Sequence, residues 1–141
     1  MTVSTRQTKD EVARSRVEEA NVATVMDMLE RVFHRNDPTV LNAHPGLIET
    51  VAVMTRRAAA FPDLSFRVER VIAEGDTVAY LVRLRGTHLG EFAGVPPSGK
   101  TIEYSAIGID RLENGTIVEY HANPDFQAIF GQLGVLPRNP A

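Results

Sequence analysis

The second half of the chain alternates apolar and polar residues in four long runs, and this pattern limits the possible folds more than any other feature of the sequence. Runs of this kind, rich in β-branched and aromatic residues, are typical of strands that bury one face. The predicted strands comprise residues 64–72, 77–87, 101–112 and 117–122. Asn114-Gly115 predicts a hairpin turn between the last two, because these residue types accept the positive φ that such turns require. We therefore expect an antiparallel meander, which long strands separated by Gly and Pro would curve strongly.

Three other segments show the three- and four-residue spacing of apolar positions that is typical of amphipathic helices. They comprise residues 18–34, 47–60 and 125–133, the last with Asp125 as N-cap and Gly134 as its stop. Residues 1–17 form a polar N-terminal extension, which we expect to be partly flexible or helical from about Lys9. Because no linker or repeat divides the chain, residues 1–141 are predicted to form one α+β domain. Helices laid across the concave face of a curved sheet would leave a small, mostly apolar pocket.

Composition and motif searches exclude several classes of protein. The absence of cysteine excludes disulfides, cysteine-bound zinc and a thiol nucleophile. A net charge of -3, without a basic stripe, argues against nucleic acid or an anionic membrane as a partner. No stretch has the length of a membrane span or the pattern of a signal peptide, so we expect a cytoplasmic protein. No metal-binding spacing, P-loop or dinucleotide fingerprint is present, so no metal and no cofactor is predicted.

Three motifs carry a resemblance to a known family. They are A-A-A-F-P-D-L at 58–64, G-T-H-L-G-E-F-A-G-V-P-P-S-G-K at 86–100, and D-R-L-E-N-G-T-I-V-E at 110–119, followed by P-D-F and Q-L-G. In this order and spacing they resemble the SnoaL-like polyketide cyclases of the nuclear-transport-factor-two-like superfamily. The resemblance covers residues 58–136, and more loosely the helix at 18–34.

The resemblance implies a cone-shaped sheet that is closed by helices and that forms a homodimer through its outer face. It also implies a cofactor-independent pocket for a polyketide-derived small molecule of secondary metabolism, such as antibiotic biosynthesis. The best-known members catalyse an intramolecular aldol cyclisation, whereas relatives hydrolyse epoxides, isomerise ketosteroids or act as hydroxylase partners and binding proteins. Fold alone therefore does not identify the reaction.

Two positions depart from the pattern that the resemblance implies. Aldol cyclases are expected to carry an acid/base Asp on the last strand and a His on the strand before it, where this chain has Ala122 and Gly108. Neither side chain can transfer a proton. The connection at 36–46 is also shorter than in the family, by about a strand and a loop, which would remodel the mouth of the pocket.

Strand alternation suggests where a replacement acid/base group could lie. If Gly108 and Ala122 face the pocket, then Tyr104, Asp110 and Tyr120 also face it, with Ala106 and Val118. An apolar wall would raise the pKa of Asp110 and suit it to acid/base catalysis, and the tyrosines could stabilise an enolate or alkoxide. Alternatively, Asp110 is solvated, or paired with Arg111 or Arg83. The pocket-side residues of the strand at 77–87 are interpreted as apolar.

His34 is a further catalytic candidate, because it ends a helix that crosses the pocket mouth and could form an acid/base pair with Asp37. The alternative is that its charge complements the helix dipole. The predicted substrate-binding residues are His88, Asn123, Ala122, Gly108, Phe33 and Met54. For His88 the alternative is a structural hydrogen bond, and His121 is expected to point away from the pocket.

Three functions remain open at this point. The first is a cofactor-independent cyclase or isomerase that acts by acid/base catalysis and by folding its substrate. The second is a non-catalytic ligand-binding or accessory protein of the same fold. The third is a small protein-interaction module, which we would expect to fill its cone with core side chains.

Overall fold

The computed structural model describes residues 8–35, 37 and 39–135, and it confirms the predicted α+β fold. The helices are α1 (Lys9–Phe33), α2 (Val40–Ala43), a 3-10 helix (Pro45–Thr50), α3 (Val51–Ala60) and α4 (Phe126–Leu133). The strands are β1 (Ser65–Glu74), β2 (Thr77–Thr87), β3 (Thr101–Glu113) and β4 (Thr116–Pro124). Residues 1–7 of the predicted extension lie outside the described part of the chain. Within that part, every helix is too short or too polar to cross a membrane.

The first helix is longer than its apolar pattern predicts. It begins at Lys9, so the second half of the predicted extension is its first turns. Thr8 caps it: the Thr8 hydroxyl accepts a hydrogen bond from the Glu11 amide at 3.2 Å, and the Glu11 carboxylate accepts one from the Thr8 amide at 2.7 Å. Only its later turns bury side chains against the sheet, among them Val25 and Leu29.

The second predicted helix starts differently from the prediction. Residues 47–60 were expected to form one α-helix, but the segment before Val51 is a 3-10 helix. The physical reason is its close contact with β4. A Cβ atom at Gly46 would lie 2.6 Å from the carbonyl carbon of Val118, so this tight segment packs its backbone directly against the strand.

The four strands pair in the order β1-β2-β3-β4, each antiparallel to the next, and the curved sheet stays unclosed. The predicted hairpin turn is confirmed, since Asn114 and Gly115 have φ values of 50° and 76°. A bulge interrupts the ladder where Leu112 pairs with Ile117 and Arg111 pairs with Glu119. The prediction that Val118 continues the inward row is therefore wrong: the extra residue shifts the register, and Ile117 is the fully buried one.

The concave face of the sheet carries the core. Its buried rows from β2 and β3 meet α1, α3 and the Phe61 junction. The C-terminal helix closes one end as predicted, with Asp125 accepting a hydrogen bond from the Ala128 amide and Gly134 in the left-handed conformation. The Gln132 side chain bonds to the backbone of Glu103 in both directions, which fastens α4 to β3.

Candidate active site

A cluster of four polar side chains lies on the concave face, where core residues would otherwise be apolar. Asp110 and Tyr104 come from β3, Tyr120 from β4 and Tyr80 from β2. Asp110 is the direct cross-strand partner of Tyr120, so these two side chains are neighbours on one face of the sheet. The predicted grouping of Tyr104, Asp110 and Tyr120 on one face agrees with this arrangement.

Asp110 is the most unusual member, because it is 0% exposed. Its Oδ1 accepts a long hydrogen bond of 3.5 Å from the Tyr80 hydroxyl, and its Oδ2 has no partner among the described residues. Burial raises the pKa of Asp110 from 3.8 to about 7, against the opposite effect of the Tyr80 hydrogen bond. The alternative of a solvated or arginine-paired Asp110 is wrong, because Arg83 binds Glu69 and Arg111 binds Glu113 and Glu119.

Tyr80 was missed by the sequence analysis, which treated the pocket side of β2 as apolar. It faces inward with Val78 and Val82, directly opposite Gly108. A Cβ atom at Gly108 would lie 2.2 Å from the Tyr80 ring, so the ring occupies the space that a side chain at 108 would fill. The sequence did contain an indication of this contact, because a glycine within a strand, here Gly108, often marks a close approach by another group.

The other two tyrosines of the cluster, Tyr104 and Tyr120, differ in their exposure to solvent. Tyr104 is 2% exposed, and its hydroxyl has no hydrogen-bond partner among the described residues. Tyr120 is half-buried; burial and then the charge of Asp110 raise its pKa to about 12. Burial also raises the pKa of Tyr104. For both hydroxyls, the positive charge of Arg57 acts in the opposite direction.

Arg57 was also missed, because its place in a helix gave no sign of burial. It lies on α3 and is 9% exposed. Within the described residues, its guanidinium has no ion pair within 4.0 Å and no hydrogen bond. The adjacent Arg56, by contrast, is exposed and donates to the carbonyl of Ala52 on its own helix.

Three pockets surround α3, and Arg57 lines all of them. The Tyr120 pocket has a volume of about 390 Å³, and its walls include Met54, Arg57, Tyr120, Ala122 and Asn123. The His34 pocket, of about 100 Å³, is lined by Phe33, His34, Met54 and Arg57 among others. The Phe92 pocket, of about 500 Å³, lies between α3 and the loop after β2. Asp110 is on none of these walls, whereas its cross-strand partner Tyr120 is on the wall of the Tyr120 pocket.

The predicted His34–Asp37 pair does not form. His34 Nδ1 lies 2.7 Å from a Glu30 carboxylate oxygen, and its Nε2 accepts a hydrogen bond from the Phe66 amide at 3.1 Å. Asp37 instead binds Arg31 at 3.2 Å. The hydrogen bonds assign a neutral ring with its proton on Nδ1, so both nitrogens are occupied and neither is available to a ligand.

The remaining predicted residues divide between pocket walls and core. Asn123, Ala122 and Met54 line the Tyr120 pocket, and Phe33 and Met54 line the His34 pocket. Gly108 lies beneath the Tyr80 ring.

The two remaining histidines from the sequence analysis lie in different environments. His88 is fully buried, and its Nδ1 accepts a hydrogen bond from the Ser98 amide at 3.2 Å. It lines none of the three pockets. His121 is exposed, yet it lies on the rim of the Tyr120 pocket. The described residues contain no cluster of His and carboxylate side chains that could hold a metal ion.

Comparison with known proteins gives a consistent result. The sequence profile of the SnoaL-like polyketide cyclases matches residues 6–133. The chain is 27% identical over 129 residues to aklanonic acid methyl ester cyclase DauD of Streptomyces sp. (strain C5), covering 88% of this chain and 80% of that protein. It is 38% identical over 56 residues to nogalonic acid methyl ester cyclase of Streptomyces nogalater, a match that spans 40% of this chain and only 41% of that protein. The structure of AclR from Streptomyces galilaeus, a proposed hydroxylase, superposes with a TM-score of 0.78 at 26% identity, covering 87% of this chain and 86% of that one.

Proposed function

Because this chain belongs to the SnoaL-like polyketide cyclase family, we propose that it is a cofactor-independent cyclase or isomerase that acts on a polyketide-derived intermediate of secondary metabolism. The observation that carries the proposal is the buried Asp110, whose pKa of about 7 lets it gain or lose a proton near neutral pH. Tyr120, the cross-strand partner of Asp110, forms part of the wall of the Tyr120 pocket, where a substrate would bind.

The proposed reaction is an intramolecular aldol addition or a related isomerisation. The substrate carbon loses a proton, the resulting enolate carbon bonds to a ketone carbon, and the ketone oxygen becomes an alkoxide. Tyr120 contacts the substrate and relays the proton through the hydroxyl of Tyr80, which is the hydrogen-bond partner of Asp110. Asp110 then returns the proton by the same route to the alkoxide. No electrons are exchanged with a cofactor, and substrate and product are isomers.

The remaining candidate residues have supporting roles in this proposal. Tyr104 supplies a third hydroxyl to the cluster, and its missing hydrogen-bond partner favours a polar neighbour in the complex. Asn123 and Ala122 form the substrate-facing wall beside Tyr120, with Phe33 and Met54 on the helix side. His34 shapes the small pocket but has no free nitrogen, and a role for His88 or Gly108 would be indirect, through the packing of Phe61 and Tyr80.

The substrates named for the two relatives provide the first test. Aklanonic and nogalonic acid methyl esters are incubated with the protein, and products are separated by liquid chromatography with mass detection. We expect an isomer of unchanged mass, formed faster above pH 7 than below it, because only ionised Asp110 can accept a proton.

We expect Asp110→Asn and Tyr120→Phe each to lower the rate by about 100-fold or more, since each removes a proton-transfer group. Tyr104→Phe should have a smaller effect, and the exposed Glu103→Gln on the same strand should have none. Wild-type rates for both Asp110→Asn and Tyr120→Phe would refute the assignment.

A second candidate function is a non-catalytic binding or accessory protein. The observation that favours it is the seal over the polar cluster, in which Asp110, Tyr104 and Tyr80 are at most 4% exposed. Calorimetry that detects tight binding of either methyl ester, with no isomer formed over hours, would support this function and exclude the cyclase.

We also propose that two copies of the chain associate through the outer face of the sheet. Three isoleucines there, Ile72, Ile107 and Ile109, are 60%, 56% and 48% exposed. Ile72 on β1 and Ile109 on β3 both pair with the small residue Ala79 of the intervening strand β2. A patch of this kind is typical of an interface. Charged residues of both signs flank it, as a self-complementary interface with a second copy requires: Arg83 and Glu69 on one side, Arg111 and Glu119 on the other.

The dimer proposal gives a direct prediction. Ile109→Glu should convert a dimer into a monomer, because it places a charge at the centre of the apolar patch. Light scattering after size-exclusion chromatography measures the mass. Val53→Glu, at an equally exposed apolar position on α3, is the control and should not change it. A wild-type protein that elutes as a monomer at high concentration would contradict the proposal.

A further inference from the structure

Arg57 carries a positive charge into the protein without a compensating carboxylate. Its side chain is 9% exposed, and within the described residues no acidic group lies within ion-pair distance. Several other arginines bind carboxylates; for example, Arg31 binds Asp37 and Arg83 binds Glu69. A guanidinium that has no acidic partner among the described residues, and that lies on pocket walls, is available to bind an anion that enters those pockets.

The position of Arg57 indicates what that purpose is. Among the described residues, it is the charged residue common to the walls of all three pockets around α3, so a ligand in any of them would meet it. In the Tyr120 pocket it contributes to the same walls as Tyr120 and Asn123. Its charge affects the hydroxyls of both Tyr104 and Tyr120, so its field extends into the polar cluster.

The chemistry of the guanidinium narrows the choice of ligand. Its planar array of donors matches two oxygens that share one negative charge, as in a carboxylate or the enolate of a 1,3-dicarbonyl compound. The pocket volume of about 390 Å³ suits a small fused-ring molecule, and most of its walls other than Arg57 are uncharged.

We propose that Arg57 binds the two oxygens of a 1,3-dicarbonyl unit of the substrate in its enolate form, and so selects substrates that carry such a unit. This inference rests on the proposed function, because it assigns the anion to the substrate of the same site. Arg57 then stabilises the enolate that the proton transfer creates, while Tyr120 faces the reacting carbonyl.

The test uses three fused-ring probes and absorbance titration. The 1,3-diketone 2-acetyl-1-tetralone can form the enolate, 2-ethyl-1-tetralone has the same rings but one ketone, and 2-naphthoate carries a carboxylate. We expect the wild-type protein to bind the diketone with the absorption band of its enolate at a pH where the free diketone is largely neutral. Arg57→Met should lose this band and weaken diketone binding at least about tenfold. Binding of the monoketone should be unchanged.

Two further variants keep the result interpretable. Arg57→Lys retains the charge without the planar array and should retain only part of the band. Arg16→Met removes an exposed helical arginine and should leave all binding unchanged. Arg57→Met should fold about as stably as the wild type, because the change removes no ion pair or hydrogen bond made by the guanidinium among the described residues and keeps an apolar chain of similar length.

The outcomes separate this inference from the proposed function. Tight binding of 2-naphthoate that depends on Arg57, with no enolate band for the diketone, would replace the enolate by a carboxylate and overturn the proposal. Equal binding of all probes to wild type and Arg57→Met would also overturn it. An Arg57-dependent enolate band, together with no turnover of either methyl ester, would leave the binding role intact and refute the cyclase.

Discussion

Asp110→Asn is expected to stabilise the folded protein by about 4 kcal/mol at pH 8, even though the same change should lower the catalytic rate by about 100-fold or more. The carboxyl has a pKa of about 7 in the folded chain and an ordinary value of 3.8 when exposed. Each unit of that difference corresponds to about 1.36 kcal/mol. The folded state therefore binds a proton more tightly than the unfolded state, and stability falls as the pH rises from about 4 to about 7.

Because the folded state raises the pKa of Asp110, the stability gained by Asp110→Asn should depend on pH. Below about pH 4, Asp110 is protonated in both states, and Asn and Asp should support similar stability. The advantage of Asp110→Asn should grow through the interval to about pH 7 and then remain constant. Urea denaturation at a series of pH values measures it, with the exposed Glu103→Gln as the control. A difference that does not depend on pH would mean that burial does not perturb Asp110.

Gly108→Ala is expected to destabilise the protein severely, by about 3 kcal/mol or more, although alanine is a conservative change in most strands. The new Cβ would lie 2.2 Å from the Tyr80 ring, which sits directly opposite on β2. Since the ring is 4% exposed and packed in the core, it cannot swing away without disturbing its neighbours.

A double-mutant cycle isolates this contact. In a Tyr80→Leu background the ring is absent, and the cost of Gly108→Ala should fall below about 1 kcal/mol, so that the two changes are strongly non-additive. Ser105→Ala, on the outer face of the same strand, controls for changes in strand propensity. Equal costs for Gly108→Ala in both backgrounds would show that Tyr80 does not occupy this space.

The Gly108–Tyr80 contact also accounts for the absence of a side chain at position 108. A side chain there and the Tyr80 ring would compete for one volume, so the polar group at this place in the core comes from β2 and not from β3. Periodicity along one strand cannot reveal this arrangement, because the contact joins residues from two strands.

How much of the site could be predicted depended on the range of the interactions involved. Alternation along β3 and β4 was enough to place Tyr104, Asp110 and Tyr120 on one face, since the direction of a strand side chain is a local property. The pairing of His34 was predicted wrongly, because Glu30 on its own helix and the backbone of Phe66, 32 residues away, compete for its nitrogens. The Val118 prediction failed at a bulge, where one extra residue reverses the alternation.

The sequence by itself determined the type and order of most elements and the inward face of β3. These follow from local periodicity, from turn residues such as Asn114-Gly115 and from caps such as Asp125. Only the tertiary structure decided that Arg57 is buried with no ion-pair partner among the described residues, that Tyr80 contacts Gly108, and that Asp110 is fully buried next to its cross-strand partner Tyr120. The physical reason is that desolvation, and therefore the pKa of Asp110, depends on which distant segments pack around a group, and the neighbours of that group in the chain do not specify them.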